Sequence, residues 1–146
     1  MFKNYSFCLL LLYLGIQCSC NAQNKNIIVD SIPVWVESDT SRFSLTHINF
    51  SKREYFLVTG DVKNRKAFQK KLDEFLAGIK GKKDSSYINH LFIFYKVSSY
   101  VNKHNVLQLP NEVRYKIFDE NQEDFLVSYT YRRDGGIFVE WNDRYK

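Results

Sequence analysis

Three histidines, His47, His90 and His104, are the side chains best suited to proton transfer or metal binding. Imidazole changes charge near neutral pH and ligates metals, so two of them on adjacent strands would serve acid–base cleavage or hold an ion. Their wide spacing in the chain matches no local ligand pattern such as His-Glu-x-x-His. His47 alternates with Phe43 and Leu45, the pattern of a histidine packed among apolar neighbours. Glu37 and Asp39 have the residue types of a glycosidase pair, but they flank a polar stretch and nothing singles them out.

Asp119-Glu120-Asn121-Gln122-Glu123-Asp124 carries four acids and no base, and so invites a calcium reading. A calcium loop of the helix–loop–helix kind needs Gly at its sixth position and Glu at its twelfth. Asp124 and Thr130 stand there instead, so the run reads as a solvated hairpin turn. Lys63, Arg65, Lys66, Lys70, Lys71, Lys80, Lys82 and Lys83 crowd a stretch whose only acids are Asp73 and Glu74. Lys63, Lys66, Lys70 and Lys71 form a candidate binding face for phosphates, anionic glycans or an acidic membrane surface. The same pattern is also the water-facing side of an amphipathic helix. No aromatic-interleaved motif accompanies it, so nucleic acid is not expected as a partner.

No phosphate-cradling Gly-x-x-x-x-Gly-Lys-Ser/Thr, no Gly-x-Gly-x-x-Gly and no Gly-x-Ser-x-Gly occurs. The common nucleotide and nucleophile-elbow chemistries are therefore not signalled, and no cofactor is expected. The three cysteines, Cys8, Cys18 and Cys20, all lie near the start. The first 22 residues read as a secretory leader: Lys3, then the uncharged run from Phe7 to Ile16, then small residues. Ten helical residues reach about 15 Å, half the thickness of a bilayer core, which suits a signal segment and not a span.

Two processing routes fit. Cleavage after Ala22 leaves a chain that starts at Gln23. Lipidation at Cys20 would instead anchor it to a membrane, as in bacterial lipoproteins. Either way the exported body, secreted, periplasmic or membrane-anchored, keeps no thiol for a disulfide, a zinc site or a nucleophile. Its formal charge of +5 falls by one, since Lys3 is lost and no acid.

The elements that must position these side chains follow from patterning. Residues 23–26 form a tether to a single α+β domain over 27–146. Ile27 to Glu37 is β-branched, and Pro33 marks an edge strand or a bulge. Phe43–Phe50 and Glu54–Thr59 read as a hairpin around Ser51-Lys52-Arg53. Asp61 caps a helix over about 61–80, on which Phe68, Leu72, Phe75, Leu76 and Ile79 form one stripe and which Gly81 closes. Leu91 to Tyr95 is apolar on both faces, a central strand that makes a parallel β-α-β unit with 54–59. Residues 98–110 fit a short helix or a loop. Glu112–Phe118, Phe125–Arg132 and Ile137–Trp141 read as a closing meander. A loop of Asp134-Gly135-Gly136 would pair Tyr131 with Val139 and Tyr129 with Trp141, with Gly136 at positive φ.

This amounts to one main helix on a mostly antiparallel, curled sheet of about six or seven strands. Such a sheet is roughly 30 Å wide, while one helix is about 10–12 Å across. The uncovered remainder must be buried by curvature, a second layer, a partner or a ligand. The composition, 45% hydrophobic and 16% aromatic, makes an uncovered face apolar. The expected function is therefore a non-catalytic binding protein meeting another protein or an envelope component. A carrier of a small apolar ligand in a cone-shaped pocket is the alternative, and a small hydrolase comes third.

Overall fold

The computed structural model describes residues 26–39, 49–79 and 86–145. The leader with Cys8, Cys18, Cys20 and Ala22, residues 40–48 with His47, and residues 80–85 with Lys80, Gly81, Lys82 and Lys83 lie outside them.

The fold is α+β: a curled, mixed, half-barrel sheet with helices packed on it. The strands are β1 (Ile28–Val29), β2 (Trp35–Asp39), β3 (Asn49–Thr59), β4 (Tyr87–Lys96), β5 (Phe125–Arg132) and β6 (Ile137–Trp141). Helix α1 (Arg65–Ile79) joins β3 to β4, while α2 (Lys103–Gln108) and α3 (Tyr115–Glu120) join β4 to β5. The order across the sheet is β1-β3-β4-β5-β6, with β2 also beside β3. Only the β3–β4 pairing is parallel among those described.

The two inner strands explain the layering. Side chains alternate between faces along a strand, and β3 and β4 are apolar on both. Phe56, Val58, Phe92 and Phe94 join a cluster with Phe68, Leu72 and Leu76 of α1. Tyr55, Leu57 and Tyr95 join a second cluster with Trp35, Val101, Val106 of α2 and Phe118 of α3. The expected central strand and helical stripe are thus both present. At the β4–β5 pairing a bulge adds one residue: Phe94 faces Val127, yet Tyr95 faces Phe125. The extra residue, Leu126, is thereby buried beside Val127 against the α1 layer, and bulges of this kind sharpen local twist.

Several expectations are corrected. Ser51-Lys52-Arg53 is no turn but part of the first half of the unbroken β3. The segment has no Gly or Pro, and its charges meet carboxylates within the sheet: Lys52 pairs with Glu54 on the same strand at 2.9 Å, and Arg53 directly faces Glu37 and pairs with it at 3.0 Å. The stretch from Ile27 to Glu37 is two short edge strands around Pro33. Between Val29↔Val58 and Trp35↔Tyr55 the edge takes six steps against three on β3.

The helix starts later than Asp61. Asn64 Oδ1 accepts from Ala67 N at 3.1 Å, while Asp61 Oδ1 accepts from Lys63 N in the preceding turn. Glu112–Phe118 is helical, not a strand. Pro110 precedes a 3₁₀ turn at Asn111–Val113, and α3 then carries Phe118 onto Tyr55, with ring centroids 4.5 Å apart. The acidic run closes α3 in place of a hairpin. Asn121 Nδ2 and Gln122 Nε2 donate to the carbonyls of Ile117 and Phe118, satisfying the helix end.

The last hairpin keeps the expected faces but slides by two residues. Tyr131 faces Ile137, Tyr129 faces Val139 and Val127 faces Trp141. Gly135, not Gly136, holds the positive φ of 90°. Asp134 Oδ1 accepts from Gly136 N, and Arg132 N donates to Gly136 O, so the loop closes one residue earlier.

Gly60 is the other glycine that the backbone requires. Its φ is 103°, and a Cβ there would lie 2.5 Å from Asn26 O and 2.8 Å from Ile27 Cα. Gly60→Ala should therefore cost at least about 2 kcal/mol in urea unfolding, combining φ strain with a backbone clash. Gly78→Ala, on open helix surface with nothing within 4 Å, should instead stabilise by about 0.5–1 kcal/mol. Equal effects at the two sites would overturn this assignment.

Candidate functional site

Strand β6 is the most exposed apolar element described. Ile137, Phe138 and Val139 are 57%, 72% and 42% exposed. It stands at the end of the sheet order, with β5 on one side. Backbone bonds Arg132 N to Gly136 O and Asn142 N to Leu126 O bracket the β5–β6 ladder. Hydrogen-bonded pairs recur every second residue in such a ladder. Phe138 and Glu140 therefore bond to β5, while Ile137, Val139 and Trp141 aim their N–H and C=O outward.

Folded proteins usually blunt such an edge with lysine, proline or a bulge. Ile-Phe-Val-Glu-Trp has a single charge, Glu140. Trp141 alone is anchored, its ring edge-on to Phe68 at 6.0 Å. On the face of α2 and α3, the aromatic cluster reaches β5 only at Phe125. Beyond it a groove of about 630 Å³ runs beside the edge, lined by Gln122, Phe125, Phe138, Glu140 and Asn142 among others. A ladder left open among the described residues, beside an amphipathic groove, is the geometry for adding an extended chain. The backbone supplies bonds and the groove takes alternate side chains.

A second constellation joins β3 and β4. His90 is only 2% exposed, and its Nε2 donates to Glu54 Oε1 at 3.0 Å. Lys52 Nζ reaches the same carboxylate oxygen at 2.9 Å. The His90 ring lies against Phe92, with centroids 4.4 Å apart. The His90 hydrogen bond, opposed by burial and aided by Lys52, holds the Glu54 carboxyl below its ordinary range. A histidine–carboxylate pair is half of an acid–base device, but this imidazole is enclosed, and the pair acts as a clasp between neighbouring strands. Glu54 was missed by reasoning from sequence. The available signal was Lys52, Glu54 and His90 at alternating positions of adjacent strands. His104 sits apart on α2, accepting from Gln108 Nε2 at 2.9 Å. Glu37 lies within β2 and is bound to Arg53, with Tyr55 OH donating to it at 3.5 Å.

The four lysines do not share one depression. Lys63 precedes α1 and lines a depression with Arg65, Arg144 and Tyr145. Lys70 and Lys71 line another with Asn26, Asp61 and Asn64, and Lys71 is paired with Glu74 at 2.9 Å. Lys66 is exposed on α1. Buried phenols elsewhere are packing features: burial pushes Tyr95 up to about 12, its hydroxyl donating to Phe118 O at 3.4 Å.

The Glu54 clasp predicts the acid limb of stability. A carboxylate with a lowered folded pKa contributes stability that is whole above the ordinary carboxylate range. That stability is lost as the pH falls through the lowered value. Urea midpoints should fall on acidification below about pH 4.5. Glu54→Gln should cost about 2 kcal/mol at pH 7 and flatten that limb. An unchanged slope in the variant would show that Glu54 does not control it.

Comparison with family models, with curated proteins and with solved structures returned no match to this chain.

Proposed function

We propose that this chain is an exported, non-catalytic interaction protein that takes an extended segment of a partner protein onto β6. The observation that carries the reading is the unblunted edge, with Ile137, Phe138 and Val139 all exposed and alternate backbone groups aimed outward. Export rests on the charge-free run from Phe7 to Ile16 and the small residues after it. An exported partner, an envelope component included, meets both conditions. Strand addition needs no side-chain chemistry from this chain, which agrees with a histidine enclosed as a clasp.

The test is photo-crosslinking in the native host, from a reactive residue replacing Phe138 and from one replacing Lys116 on α3. A discrete adduct with one other protein should form from position 138 and not from 116. Val139→Pro should abolish it. The Val139 N–H points away from β5, so proline removes a donor offered outward and spares the β5–β6 ladder. Unfolding of that variant should shift by no more than about 1 kcal/mol. An adduct that survives Val139→Pro, or forms equally from 116, would overturn the reading. So would an adduct of twice the chain's own mass, which would make the occupant a second copy.

A further inference from the structure

We infer that the depression at the start of α1, lined by Lys63, Arg65, Arg144 and Tyr145, binds a phosphate-like dianion. The observation is three cations around one space of about 440 Å³. Among the described residues none of the three is ion-paired with a carboxylate, although Lys52, Arg53, Lys71 and Arg132 all are. A depression ringed by three like charges attracts an anion.

The cations come from segments far apart in sequence, and each segment is held. The Arg65 guanidinium stacks over the Trp141 ring at 5.0 Å from its centroid. Trp141 is in turn packed on Phe68 of α1. Lys63 sits in a turn closed by Asp61 Oδ1 accepting from its backbone N and by Arg65 N donating to its carbonyl. The Arg144–Tyr145 turn hangs on Asn142. Its Oδ1 accepts from Arg144 N at 3.0 Å, its carbonyl accepts from Tyr145 N at 2.9 Å, and its Nδ2 donates to Gln122 O and Phe125 O. The Arg65 guanidinium and the backbone turns that carry Lys63 and Arg144 are thus held by packing and capping within the chain.

The donor set selects the ligand class. Two guanidinium forks match the tetrahedral oxyanion of a phosphate, which they hold bidentately. Lys63 adds a point charge. The Tyr145 phenol, kept protonated by burial and by the nearby Asp124 carboxylate, adds a neutral donor. The positive end of the α1 dipole adds to the same potential. Even with the Asp124 carboxylate near Tyr145 counted against them, the three cations leave a double positive charge, so a phosphate monoester or free phosphate is the fitting group.

The test uses the chain expressed with its own leader, and reads the two indole N–H resonances by NMR. Inorganic phosphate, titrated against chloride at constant ionic strength, should move the Trp141 signal saturably. Trp35, buried in the other cluster, should stay still. Lys63→Gln and Arg144→Gln should each weaken apparent affinity about tenfold. Lys103→Gln and Lys116→Gln, with the same charge loss elsewhere, should leave it within about twofold. A parallel arm adds phosphatidylcholine vesicles, with and without phosphatidic acid. Broadening of Trp141 only with phosphatidic acid, at lower phosphate concentration than free phosphate needs, assigns the group to a lipid headgroup. Saturation by free phosphate with vesicles inert assigns it to a soluble ligand. No saturable Trp141 shift in either arm, or equal weakening by the control substitutions, would overturn the site.

Discussion

Burial on both faces of β3 and β4 is the constraint from which the rest follows. These strands alternate apolar side chains up and down, so neither face of the sheet centre tolerates water. A single helix covers one face, where Phe68, Leu72 and Leu76 meet Phe56 and Phe94. The other face needs its own layer, and the chain between β4 and β5 provides it as two short helices. Phe118 and Trp35, with planes 2° apart, close that layer over Tyr55.

Among the described residues, coverage of the second face ends at Phe125. Strand β6 therefore completes the sheet without being enclosed by it. Its apolar residues would ordinarily be a liability, since an open flat edge pairs with other chains. The same exposure gives the molecule its candidate interaction surface. The cationic depression near Trp141 lies at the other consequence of this layout, where the end of β6 and the turn after it return to the start of α1. One ring thus marks both regions: Trp141 ends the open edge and carries the Arg65 guanidinium.

Polar residues inside the sheet obey the same logic. Glu54, His90 and Lys52 lie on the α1 face of β3 and β4, next to Phe92 of the core cluster. A lone charge there would be costly, and a shared hydrogen-bonded oxygen makes it tolerable. This is why a sequence such as Ser-Lys-Arg-Glu, which looks like a turn, continues as strand. Cross-strand partners are invisible to a local reading, and they decide the matter.

What the sequence determined by itself was everything periodic: the α1 stripe, the doubly apolar β4, the parallel β3–α1–β4 unit, the interruption at Pro33, and the facing of Tyr129 and Tyr131 toward odd-numbered residues of β6. Those features depend on side-chain spacing within one element, which the chain carries locally. Tertiary structure alone decided the helical state of residues 112–118, where the uncovered Tyr55–Trp35 face outweighs an alternating pattern. It also chose Gly135 over its neighbour as the hinge, brought Glu54 to His90, left Ile137 to Val139 unsheltered, and gathered Lys63, Arg65 and Arg144 around one space. Each of these depends on what lies opposite in space, and no spacing along the chain encodes that.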